Sequence, residues 1–185
     1  MAIYVKLDNN QVSKYPYMIG DLIKDNPGIS FPTSNIPLET LAEYNVYPVR
    51  LTSVPIPNEK ESIVKESTPI KIDGQFTQTW EIIQGTEEEV EQKLNQVQAD
   101  FSTLVQNRLD TFARTRGYDG ILEACSYANS NIPKYAAEGA YCIEARDNTW
   151  NNFYSVFEAM RIGAVPWMPR FSQVEAFLPP LEWPS

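Results

Sequence analysis

Residues 113–150 read ARTRGYDGILEACSYANSNIPKYAAEGAYCIEARDNTW and gather most of the groups in this chain that could do chemistry. Glu123, Glu138, Glu144 and Asp147 fall on neighbouring helical segments, where two carboxylates at a suitable separation could act as a glycosidase acid and base. Carboxylates on helices are ordinarily solvated, and no feature of the sequence marks one of these as desolvated. Arg114 and Arg116 beside Asp119, and Arg146 beside Asp147, could bind an anion. An arginine inside an apolar stripe more often packs its stem and pairs its head with a nearby acid. Glu123 is the expected partner of Arg146, because Glu144 stands only two residues away on the same helix.

The chain has no histidine. That removes the commonest general base and metal ligand and the usual activator of Ser and Cys nucleophiles. Cys125 and Cys142 are too far apart in sequence for a Cys-x-x-Cys motif, and two cysteines cannot complete a structural zinc site. They are expected as reduced, buried core residues. No Gly-rich phosphate loop, metal-ligand spacing or Gly-x-Ser-x-Gly elbow occurs. The expectation is a protein without catalytic, cofactor-binding or metal-binding residues, and not an enzyme.

A formal net charge of −9 and a pI near 4.6 argue against binding nucleic acid or an anionic membrane surface, both of which need clustered Lys and Arg. No apolar run approaches the roughly 20 residues that span a bilayer, so membrane insertion is not expected. The start, Met1-Ala2-Ile3-Tyr4-Val5-Lys6, lacks the pattern of a signal peptide, which places the expected site of synthesis and assembly in cytoplasm.

The elements that would position these groups change character near residue 85. Ala2-Ile3-Tyr4-Val5-Lys6-Leu7 and residues 12–17 form an expected hairpin about Asp8-Asn9-Asn10. A short helix is expected from Gly20, stopped by Asn26-Pro27-Gly28. Another is expected from Pro37, with Ser34 and Asn35 as cap candidates. Val46-Tyr47-Pro48-Val49 reads as an edge strand, because Pro48 cannot donate to a ladder. Two strands flank Asp73-Gly74, a pair suited to a two-residue type I′ turn. Alternation along the second strand assigns Phe76, Trp80 and Ile82 to one buried face.

Thr86-Glu87-Glu88-Glu89 then forms a capping box. Val90, Leu94, Val97, Phe101 and Leu104 follow as one apolar seam, with Phe112 returning to it. The seam lasts about two heptads, which favours packing on the chain's own helices over a coiled coil. Further helices are expected over 119–129, over 133–162 with Gly139, Cys142, Ile143, Arg146, Trp150, Phe153, Phe157 and Met160 on one stripe, and, for about a turn and a half, from a second capping box at Ser172-Gln173-Val174-Glu175. The fold class is α+β. A small antiparallel β-rich N-terminal domain with short helices occupies 1–84, a long connecting helix 85–116, and a helical domain with a Pro-rich tail 117–185. Val90, Leu94, Val97, Phe101, Trp167 and Trp183 are the partner-binding candidates, with Trp183 equally able to fold back over its own helices.

The stretch Arg116-Gly117-Tyr118-Asp119-Gly120-Ile121-Leu122-Glu123-Ala124-Cys125-Ser126-Tyr127-Ala128, with Pro133-Lys134-Tyr135-Ala136-Ala137-Glu138-Gly139, Arg146-Asp147, Trp150 and the closing Leu178-Pro179-Pro180-Leu181-Glu182-Trp183-Pro184, resembles the C-terminal module of small tail-fibre and tail-fibre assembly proteins of tailed bacteriophages. Tyr15-Pro16-Tyr17, Asp21-Leu22, Asn26-Pro27, Ser30-Phe31-Pro32, Tyr47-Pro48-Val49 and Asp73-Gly74-Gln75-Phe76-Thr77-Gln78-Thr79-Trp80 are similar to the front half of the same proteins. The resemblance covers most of the chain. It implies a non-enzymatic structural component or adaptor of the tail fibre or baseplate, assembled in host cytoplasm and carried in the virion tail. The implied partners are other tail or fibre proteins, or further copies of the chain. A transient fibre-assembly chaperone is the alternative, and a host-glycan-binding or glycan-degrading protein is a further one.

Overall fold

The structure, a computed structural model, describes residues 2–32 and 35–184. The fold is α+β, with a five-stranded sheet in the N-terminal part and long helices after it. The chain divides into two compact units: residues 1–56 with 64–83, and residues 57–63 with 84–185. The long helix after residue 86 belongs to the second unit, together with the short segment 57–63.

In the first unit, β1 (Tyr4–Asp8) and β2 (Gln11–Tyr17) form the expected hairpin, turning through Asn9 and Asn10 at positive φ. Two irregularities in the β1–β2 register place extra residues on β2. α1 (Ile19–Asp25) and α2 (Leu38–Glu43) follow, then β3 (Val46–Arg50), β4 (Ser62–Ile72) and β5 (Gln75–Gln84). Pro37 stands at the N-cap of α2 rather than inside it. Of its two cap candidates, Asn35 has positive φ and Ser34 lies outside the described residues. Asp73 and Gly74 join β4 to β5 with φ of 50° and 82°, the positive values a type I′ turn needs.

The sheet order is β2-β1-β3-β5-β4. Two expectations change here. The sheet is mixed, because β3 pairs with β5 in parallel through Val49↔Phe76 and Arg50↔Thr77. β3 is also internal despite Pro48. Its ladder to β5 begins only at Val49, one residue after the missing N–H, and on the other side Tyr4 faces Pro48 while Val49 donates to Ile3. The core of this unit is Tyr17, Leu22, Ile36, Leu41 and Val46 between the helices and sheet, with Val5, Val49 and Phe76 beside it.

The expected buried face of β5 is only partly realised. Phe76 is buried and Trp80 half-buried, but Ile82 is 53% exposed, while Thr77 and Gln78 are buried. β3 pairs with β5 only at Phe76 and Thr77, so its ladder covers the first half of the strand and not the second.

In the second unit, α3 (Glu87–Arg114) starts from the expected capping box: Glu89 N–H donates to Thr86 Oγ1 at 3.3 Å and Thr86 N–H to Glu89 Oε2 at 2.9 Å. Thr86→Ala should lower the stability of this unit by about 1 kcal/mol in denaturant titration followed by helical signal. A change below a few tenths would mean that the box is not formed in solution. α4 (Ile121–Ser126) continues into a single 3₁₀ turn, Tyr127–Asn129. α5 (Pro133–Arg161) begins with proline at its first position, and α6 (Phe171–Glu175) is short. Ser172 lies inside α6 rather than at its cap; Arg170 N–H donates to Gln173 Oε1 at 3.0 Å.

The buried residues of α3 are Leu94, Phe101, Val105, Leu109 and Ala113. The seam therefore turns at Phe101 onto Val105 and Leu109 and leaves Leu104 exposed, since a helix of 3.6 residues per turn drifts off a heptad line. On α5, Gly139, Cys142, Phe153, Phe157 and Met160 are buried as expected. Glu138, Ala145 and Thr149 join them, whereas Ile143 is exposed and Arg146 and Trp150 are half-buried.

Candidate functional site

Of the groups singled out in 113–150, Arg116 and Glu138 meet at the junction of α3, α4, α5 and the C-terminal tail, while Glu144 is exposed. Glu138 is 3% exposed, yet it is a carboxylate. Burial pushes its pKa up, but Tyr118 O–H donates to its Oε2 at 2.7 Å and the Arg116 guanidinium binds its Oε1, and together they hold it below the ordinary glutamate range. Tyr118 is itself pushed up by burial and by Glu138, so it remains a donor at neutral pH. The next residue, Gly139, lies against backbone: a Cβ there would meet Ala128 N at 2.3 Å and Tyr127 C at 2.6 Å. α5 thus packs on the 3₁₀ turn at a distance that only glycine permits.

The tail closes this junction. Trp183 stacks on Phe112 with ring centroids 4.3 Å apart, and its Nε1 donates to Thr115 Oγ1 at 2.8 Å. The Arg116 guanidinium lies 5.1 Å from the same ring, so one cation serves both Glu138 and Trp183. Glu182 N–H donates to Tyr141 Oη at 2.8 Å, and Arg108 donates to the Pro179 carbonyl at 2.8 Å. Trp183 is accordingly half-buried on its own unit.

Other polar groups of the stretch are used locally. Glu123 accepts from the Asp119 N–H just ahead of its own helix, so it is not the partner of Arg146; that arginine pairs with adjacent Asp147 at 2.8 and 2.9 Å. Arg114 donates to the Asp119 carbonyl at 3.0 Å. Asp110, which sequence reasoning did not single out, accepts from Ile121 N–H at 2.9 Å and so caps α4 from another helix. Gly120 allows that approach, because a Cβ would stand 2.7 Å from Asp110 Oδ1.

The partner-binding candidates are distributed along the unit. Leu94 and Phe101 are buried, and Val90, Val97 and Trp167 are half-buried. Phe101 meets Phe157 and Phe171 edge-on, with centroids 6.0 and 5.6 Å apart. Trp167 lies under Lys93, whose Nζ is 5.0 Å from the ring centre and donates to the carbonyls of Glu59, Lys60 and Ser62. Burial lowers the pKa of Lys93.

Cys125 and Cys142 are free thiols. Cys142 is buried, but Cys125 is half-buried, short of the burial expected for both. Burial raises both pKa values, that of Cys142 to about 12. Titration of the native protein with a neutral disulfide reagent should give two phases, Cys125 first; Cys125→Ser should remove the faster one. Equal rates for the two thiols would contradict this packing.

Among the described residues no group of three or more His, Cys, Asp and Glu could hold a metal ion, and no helix is long and apolar enough to cross a membrane. No protein-family model, curated protein or solved structure matches the chain.

Proposed function

We propose that this chain is a non-enzymatic bacteriophage tail protein, a structural component or adaptor of the tail fibre or baseplate that works through protein–protein contacts. The observation that carries this reading is the use made of the residues on which the resemblance rests. Arg116, Tyr118, Glu138, Gly139 and Trp183 meet in one junction, where each is consumed by an internal contact. Gly120 admits the Asp110 cap, and Pro133 opens α5. Side chains engaged in this way hold a scaffold, and a scaffold of this kind acts by presenting its surface.

The test is quantitative mass spectrometry of purified particles from a phage encoding the chain, alongside affinity purification from infected cells. Presence at constant copy with tail or fibre proteins supports a tail component. Recovery with the fibre in cells but absence from particles would replace this reading with the assembly chaperone. Recovery with neither would overturn it.

A further inference from the structure

The first unit contains a cleft of about 390 Å³ whose lining comes from the two edge strands, residues 12–16 of β2 and 66–68 of β4. Inside it Glu66 is held from one side only. Tyr15 O–H and Gln78 Nε2, the latter at 2.6 Å, both donate to the same oxygen, Oε1. Gln78 is buried and fixed in turn, its Oε1 accepting from Thr52 N–H at 3.0 Å. The carboxylate is therefore oriented by a buried amide, while among the described residues no donor reaches its Oε2 and no cation pairs with it. Lys14, on the β2 wall, already pairs with Asp21 at 2.9 Å. Burial and Glu66 push the Tyr15 phenol up to about 12, which keeps it a donor at neutral pH.

We propose that this cleft receives a lysine or arginine side chain carried on an extended segment of a partner protein, with Glu66 as its counter-ion. An oriented carboxylate with a free oxygen beside an aromatic ring fits an ammonium or guanidinium group. The cleft runs between two strands, so the backbone that delivers the cation is extended. Pro16 on β2 and Pro69 on β4 have no backbone N–H to offer an added strand, so side-chain contacts rather than a continuous added ladder hold the segment.

This inference rests on the reading that the chain works through protein contacts. Its test starts from a displayed library of random linear peptides selected on the full-length chain, followed by titration of synthetic copies of the enriched peptides by fluorescence anisotropy. The enriched peptides should share a Lys or Arg. Replacing that residue by Gln, or using the Glu66→Gln chain, should each weaken binding about tenfold. Amide shifts on binding should centre on Ser13, Tyr15, Ser67 and Thr68. Glu66 is exposed, so Glu66→Gln should keep the parent's thermal midpoint, which separates lost binding from lost folding. Failure to enrich peptides, or enriched peptides that bind Glu66→Gln as tightly as the parent, would overturn the assignment. A chain recovered with tail proteins whose peptides ignore Glu66 would remove the cleft assignment alone.

Discussion

Gly139→Ala is expected to destabilise the helical unit by about 3 kcal/mol, the upper end of overpacking costs. The added methyl would lie 2.3 Å from Ala128 N and 2.6 Å from Tyr127 C, and both atoms are backbone, so no rotamer change can relieve the contact. Relief requires α5 and the 3₁₀ turn to separate, which also loosens the setting of neighbouring Glu138. Gly20→Ala makes the contrast: no heavy atom lies within 4 Å of its Cβ position, and alanine in a helix should leave α1 unharmed or slightly more stable. The two variants are compared by denaturant titration followed through helical signal. A Gly139→Ala chain as stable as its parent would mean that α5 does not approach the turn this closely.

Glu138→Gln should cost about 2 kcal/mol at neutral pH and flatten the loss of stability in acid. Removing one partner of a buried ion pair commonly costs more. Arg116, however, keeps 34% of its side chain in solvent, which screens the charge left behind. The pH dependence follows from the depressed pKa of Glu138 in the folded chain. The unfolded chain binds this proton more tightly, so the carboxylate's contribution is complete above the ordinary glutamate value of about 4.3 and is lost as pH falls through the lower folded value. Stability curves of parent and variant should therefore converge as the medium is acidified below about pH 4. A double-mutant cycle with Tyr118→Phe should show coupling, because both hydroxyl and guanidinium bind the same carboxylate. Parallel pH curves with no coupling would refute the arrangement.

Local chemistry made much of the framework legible in the sequence. Asp73-Gly74 is a hairpin turn because both residues accept positive φ, Thr86 and Glu89 satisfy each other's backbone at the start of α3, and Pro133 opens α5 because the first helical N–H has no partner to lose. Each signal spans only a few residues, so residue type and spacing suffice to read it. The absence of histidine and the charge of −9 likewise narrow the chemistry expected of the chain.

Which face of each element is buried, and which polar groups meet, was decided by tertiary structure. Leu104 is outside while Val105 is inside, and Ile82 is exposed while Gln78 is buried, because burial depends on what another part of the chain lays over a residue. β3 becomes internal because its ladder to β5 starts just beyond Pro48. Glu138 gains Arg116 and Tyr118 from 22 and 20 residues away, Asp110 caps a helix 11 residues on, and Thr115 receives the indole of Trp183 from 68 residues away. Such pairings depend on how the chain closes on itself rather than on the propensity of any window, and several partners were equally available to each group in the sequence. The sequence by itself determined the Asp73-Gly74 turn, the capping box of α3 and the proline start of α5, since those are local balances of backbone hydrogen bonding and sterics; the tertiary structure decided that Asp110 caps α4, that Glu138 is buried and that Glu66 is held through one oxygen, since desolvation and donor geometry exist only after folding.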